Sequence, residues 1–257
     1  MQGSIQVRQD AQLQYLLRIA DTALILAQRI SEWSGHAPVL EEDIALSNMA
    51  LDLVGQARAV YTHAGMVEGA GHDEDQLAFL REERDYRNVT LAELPRGDFA
   101  FTVLRNAMMA TFFKLLWTKL AASTDGELSA IAGKALKEAR YHQQHAADWI
   151  VRLAQGTSES RLRMERALAD LWRFHVELFA SDEVDTKAAA AGLGPQWGDL
   201  QEGWRAEMQQ ILDEAQLQAP ADAPFLSTGK SGTHSEHMGL LLAEMQHLQR
   251  AYPGGVW

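Results

Sequence analysis

Cysteine is absent from this chain, which excludes disulfides and thiolate metal sites. Proline is scarce, and all six prolines lie between periodic stretches, where helices stop. β-Branched residues are sparse beside Leu and Ala, a balance that favours helix. No apolar run approaches the ~18 residues that a membrane span needs. The opening MQGSIQVRQDAQ lacks the apolar core of a signal peptide, so a cytosolic location is expected. Basic residues are outnumbered, with 23 Lys and Arg against 35 Asp and Glu. The resulting net charge of −12 repels phosphate backbones and argues against a nucleic-acid partner. Gly-rich phosphate loops after a strand and the G-x-S-x-G elbow are also missing.

What is present is enough apolar matter for one core. At 257 residues and 47% hydrophobic content, a single domain over residues 1–257 is expected. A chain of this size buries roughly three quarters of its surface. Helices are predicted over 11–33, 40–66, 75–92, 99–123, 127–154, 158–179, 197–217 and 237–251, giving an all-α long-helix bundle with additional C-terminal helices. On the first, Leu13, Leu17, Ala20, Leu24 and Ala27 form the seam, with Asp21 on the polar flank. On the second, Leu40, Ile44, Leu51, Val54 and Tyr61 form an apolar stripe that Met49, Leu53 and Val60 widen. A row of Ala45, Asn48, Asp52, Gly55, Ala59 and Thr62 is small enough to admit another helix. The stretch 75–92 is charged, and Glu82 to Arg87 read as a solvated or partner-facing surface. Asp98 caps a helix that is apolar almost all round and should be central.

The helix over 127–154 organises the rest. Leu128, Ala132, Ala135, Ala139, His142, Ala146, Trp149 and Leu153 repeat at alternating spacings of four and three, one seam facing other helices. A histidine therefore points inward. In carboxylate-bridged di-iron bundles two helices each supply Glu-x-x-His, because residues three apart share a face. Here His142 has Ala139 at the Glu position, and Glu138 is rotated about 100° away. A core imidazole satisfied by a hydrogen bond gives the same pattern. The remaining census is thin. An acid three residues before a His occurs once, at Glu244 and His247; the central helix 99–123 holds no acid; and Asp52 has Gly55 at that spacing. The pairs His142/His145 and His234/His237 each lack an implied third zinc ligand. Gly229-Lys230-Ser231-Gly232 is a P-loop-like fragment without the loop's spacing or strand. It lies in 218–235, the longest non-periodic piece.

Five motifs carry a resemblance: Arg29-Ile30-Ser31-Glu32-Trp33-Ser34-Gly35-His36-Ala37-Pro38, Leu51-Asp52-Leu53-Val54-Gly55-Gln56-Ala57-Arg58, Lys137-Glu138-Ala139-Arg140-Tyr141-His142, Leu171-Trp172-Arg173-Phe174 and His234-Ser235-Glu236-His237. Together, and in this order over nearly the whole chain, they resemble the structural, non-catalytic subunits of bacterial phenylacetyl-CoA epoxidases. The resemblance implies a ferritin-like fold and a hetero-oligomeric monooxygenase. In it a homologous catalytic subunit holds the di-iron centre and the CoA thioester, and a reductase delivers electrons from NADPH. It further implies that Asp52 stands for a ligand Glu, Gly55 for a His and Ala139 for a Glu, with His142 surviving. No catalytic, cofactor or metal residue is then expected in this chain. The alternative is a free-standing ferritin-like di-metal oxidase with a non-standard set such as Asp52, Glu138 and His142; a helical interaction module is a third reading. Lys230, His234, Glu236 and His237 are expected at an interface or assembly contact.

Overall fold

Two long helical hairpins carry the architecture. The computed structural model describes residues 2–255. Helix α1 (Ala11–Ser31) packs along α2 (Leu40–Glu68), and α5 (Phe99–Leu120) packs along α6 (Gly126–Ala154). The hairpins meet where α2 lies against α6 and close a four-helix bundle. Between them run α3 (Glu74–Phe79) and α4 (Thr90–Glu93). After them come α7 (Ser158–Leu171), α8 (His175–Phe179), α9 (Glu183–Ala190), α10 (Gln201–Glu214) and α11 (Glu236–Ala251). This is an all-α, ferritin-like bundle with C-terminal helices added. Among the described residues the one extended pairing is an isolated bridge between Thr228 and Thr233.

Local chemistry sets the ends. Asp10, Asp98 and Asp125 each accept a hydrogen bond from a backbone N–H three residues on, satisfying an orphan donor of the first turn of α1, α5 and α6. Gly69 ends α2 in the left-handed conformation at φ 69°. Helix α5 is long and apolar enough to cross a membrane, but 78% of its apolar window is buried inside the protein, as for a central core helix.

Three expectations are corrected. First, Asp21 is not on a polar flank; it is fully buried. Its carboxylate is paired with Arg81, which is also fully buried, and accepts from the Tyr61 hydroxyl at 2.5 Å and the Arg87 backbone N–H at 2.7 Å. Second, that pairing breaks the helix expected over 75–92. Helix α3 stops at Phe79, a 3₁₀ turn covers Glu83–Asp85, and α4 begins at Thr90. The N–H groups of Arg87, Val89 and Thr90 donate to the side chains of Asp21, Thr22 and Glu177 instead of to carbonyls one turn back. Third, the apolar stripe expected on α2 is inward only in part. Tyr61 and the widening residues Met49, Leu53 and Val60 face the core with Leu46 and Ala57, while Leu40, Ile44, Leu51 and Val54 face outward. The small row lies largely outside as well: Asn48, Gly55 and Thr62 are exposed, and Ala45, Asp52 and Ala59 are half-buried.

Removing one partner of a buried ion pair strands the other charge, at a cost of about 3–5 kcal/mol. Asp21→Asn should therefore lower the stability measured by urea unfolding by roughly that amount. Lys187→Ala, which deletes the exposed pair with Glu183, should change it by less than about 1 kcal/mol.

Candidate functional site

Helix α6 presents its seam inward as its spacing predicts. Leu128, Ala132, Ala135, Ala139, His142 and Ala146 are buried. The last two positions drift, so Ile150 and Ala154 take the core side and Trp149 and Leu153 are half-buried. A 3.6-residue turn slips against a seven-residue repeat by about 20° per heptad, which moves the seam by that sense over the length of α6.

Opposite this seam, α2 is held to α6 by three polar bridges. The His145 Nε2 lies 2.8 Å from a Glu42 carboxylate oxygen. The His142 Nε2 lies 3.0 Å from Asp52 Oδ2. The Gln56 amide donates to Glu138 at 2.9 Å. Residue numbers rise on one helix as they fall on the other, so the pair is antiparallel. Burial pushes the His142 imidazole below its ordinary value, with the Asp52 carboxylate acting in the opposite direction.

Between the four long helices sits a cavity of about 10 Å³. Its lining includes Leu26, Ile30, Met49, Leu53 and the Ala139 methyl, with three polar side chains, Gln56, Asn106 and His142. Gln56 Oε1 and Asn106 Oδ1 are buried without a partner. The space is about one water probe in size. A di-iron bundle site requires a Glu from each of two helices and Glu-x-x-His from two more. The side chains around this cavity are two neutral amides and one imidazole, and α5 contributes Asn106 where a carboxylate is needed. Among the described residues no three His, Cys, Asp or Glu side chains are grouped to hold a metal. The residues present do not fit a dinuclear centre.

The individual positions are equally informative. Gly55 is exposed, with open space around the position of a Cβ, and Gln56 is the residue of that turn that lines the cavity. His142 and His145 do not converge, since each bonds its own carboxylate. Glu244 and His247 are exposed on α11. Glu42, Gln56 and Asn106 escaped the sequence reading. Glu42 and Gln56 stand about four turns apart on α2, but their partners are on another helix and no local motif marks them.

The loop before α11 turns its charged groups inward. The Lys230 side chain is buried; its ammonium donates to the Ala180 carbonyl at 2.8 Å and its backbone N–H to Glu177 at 2.9 Å. Glu177 also accepts from Thr90 N–H and the Ser227 hydroxyl. His234 is enclosed, its Nδ1 2.7 Å from Glu93 Oε2, and Glu93 also accepts from Asn88 and the Ser235 N–H. The side chains of Lys230 and His234 thus meet this chain's own groups; His237 is half-buried, and only Glu236 of the four is exposed. The P-loop-like glycines have a packing reason. A Cβ at Gly229 would come within 2.5 Å of the Asn88 carbonyl oxygen, and at Gly232, where φ is +83°, within 2.3 Å of that of Arg84.

An antiparallel four-helix bundle with a ferritin-like core and a largely apolar, carboxylate-poor centre defines the structural class. The chain belongs to the phenylacetic acid catabolic protein family, whose match covers residues 2–257. It is similar to one of the subunits of the 1,2-phenylacetyl-CoA epoxidase of Escherichia coli (strain K12), with 45% identity over 243 residues, 95% of this chain and 98% of that protein.

The two histidines titrate in opposite senses. Burial opposes charge on His234, but Glu93 and the Tyr86 carbonyl outweigh it and raise its pKa above 6.5. The folded state then holds a proton the unfolded state has lost, so His234 stabilises fully below about pH 6.5 and this contribution fades as pH rises through the raised value. His142, depressed, works against stability as pH falls below about 6.5. Urea midpoints measured between about pH 5 and about pH 8.5 should show a flatter alkaline limb in His234→Gln and a flatter acid limb in His142→Gln.

Proposed function

We propose that this chain is a non-catalytic scaffold subunit of a multicomponent di-iron monooxygenase that epoxidises the ring of phenylacetyl-CoA in aerobic phenylacetate catabolism. It binds and positions a homologous catalytic subunit. That partner holds the di-iron centre and the CoA thioester, and a reductase component supplies electrons from NADPH. The chain itself carries no metal.

The observation that carries this reading is the donor set at the bundle centre. Where a di-metal enzyme needs carboxylates, this chain has Ala139, Gln56 and Asn106 around His142. The similarity to an epoxidase subunit supplies the reaction. Replacing buried charges by a methyl group and amides removes a desolvation cost of several kcal/mol per ion, which favours a stable scaffold. The alternative, a di-metal oxidase using Asp52, Glu138 and His142, is opposed by the bonding. Asp52 and His142 are engaged with each other, and Glu138 with Gln56.

Purified alone, the chain should contain far less than one iron per polypeptide by elemental analysis and show no oxygenase activity. Co-expressed with the homologous catalytic polypeptide, it should elute with it in size exclusion. About two irons per chain, lost on His142→Ala, would overturn the reading.

A further inference from the structure

The outward face of α2 has the composition of a helix interior. Leu40 is 72% exposed, Ile44 54% and Leu51 68%, and Val54 stands beside them at 39%. Their spacings of four, seven and three place them on one stripe. From Ile44 to Gly55 the residues on this face are Ile44, Ser47, Asn48, Leu51, Val54 and Gly55, and none is charged; Arg58, paired with Glu74, ends the uncharged stretch. At the chain's 23% charged content six positions would carry about one charge, and a solvated helix face more. The half-exposed Tyr141 of α6 lies on the same side of the molecule, since its helix is bridged to α2 through Glu138, His142 and His145. Large exposed apolar side chains concentrated this way mark an interaction surface.

The charge around the stripe narrows the partner. Just past its C-terminal end on the α6 side, where Glu138 meets Gln56, stand Lys134 and Lys137, both exposed. Lys134 touches Glu138 only loosely at 3.9 Å, and Lys137 forms no ion pair among the described residues. This is a basic edge on a protein of net charge −12. From Leu40 to Val54 the stripe is about 21 Å long, and two helices about 10 Å wide offer on the order of 400 Å² there, the size of an exposed apolar patch that marks an interaction site.

We propose that the α2 face of Leu40, Ile44, Leu51 and Val54, with Tyr141 of α6, docks a helix pair of the homologous catalytic subunit, apolar along its contact ridge and acidic along the edge that meets Lys134 and Lys137. The proposal rests on the scaffold reading above and assigns its contact surface. A second copy of this chain is the competing occupant, and its own strong negative charge opposes it.

The test uses full-length chain and the co-expressed catalytic polypeptide, with binding measured by surface plasmon resonance and assembly by size exclusion. Leu51→Glu and Ile44→Glu should each raise Kd at least tenfold, while Leu240→Glu, at an equally exposed site on α11, should leave it unchanged. Lys134→Glu with Lys137→Glu should slow association about tenfold at low salt and much less at high salt; this arm reads the surface even if an α2 variant is unstable. Wild-type binding that survives both α2 substitutions and the charge reversal would overturn the surface and leave the scaffold role standing. Absence of wild-type binding would overturn the scaffold role itself. A wild-type chain that dimerises alone and becomes monomeric on Leu51→Glu would give the face to a second copy and refute the proposed occupant.

Discussion

Helices α2 and α6 are the elements whose separation decides everything at the bundle centre, and side chains alone set that separation. In a bundle built on metals, bridging carboxylates tie the facing helices through the ions. Here Glu42, Asp52 and Gln56 reach His145, His142 and Glu138 directly. Each bridge satisfies groups that would otherwise be half-buried and unpaired, which is the condition under which polar contacts hold helices rather than loosen them. The bridges run along the rim of the interface, and the centre between the helices is left to Ala139, Met49 and Leu53. The polar side chains at this centre are His142, Gln56 and Asn106, and the amide oxygens of the last two have no partner.

Full charges have been kept elsewhere, where they join distant parts of the chain. Asp21 and Arg81 are 60 residues apart and are both sealed from solvent. Arg18 reaches Asp182 at 2.9 Å and Asp185 at 3.3 Å, tying α1 to α9. Glu93 and Glu177 each gather three donors and fasten the loop before α11 to α4 and α8. These hubs have a common logic: irregular segments between helices carry backbone N–H groups that no ladder satisfies, and buried carboxylates accept from them. The residues between α3 and α4 could therefore leave helical geometry without leaving donors unpaired.

This division explains which features were legible in the sequence. The seam of α6, the cap at Asp98 and the central burial of α5 follow from spacing and composition within one segment, and all appear in the structure. Helix α2 was half misread because it bears two apolar stripes. The one that packs inward holds Leu46, Met49, Leu53, Val60 and Tyr61 with the small Ala50, Ala57 and Ala64; the outward one holds Leu40, Ile44, Leu51 and Val54. Periodicity identifies a stripe but cannot say which of two is covered, because that depends on where α1 and α6 lie. Asp21 failed for the same reason: its partner is on another segment, and only the tertiary structure brings Arg81 to it. The His142 environment was half legible. Ala139 at the place of a Glu is visible in sequence, whereas the identity of the bonded carboxylate and the role of Gln56 are not.

The misread stripe and the closed centre bear on each other. A bundle whose centre is lined by the Ala139 methyl, two amides and apolar side chains, packed around a cavity of about 10 Å³, has little interior room for a drug-sized molecule. Ligand pockets for drug-sized molecules occupy roughly 300–1,000 Å³. Leu40, Ile44, Leu51 and Val54 have no role in holding this chain together, since they touch solvent rather than core. Exposed apolar groups of that size weaken solubility unless something covers them, and replacing them with charge would cost the isolated fold little. They stand on the helix that also lines the central cavity through Met49, Leu53 and Gln56, so α2 turns one face to the core and an apolar one to solvent.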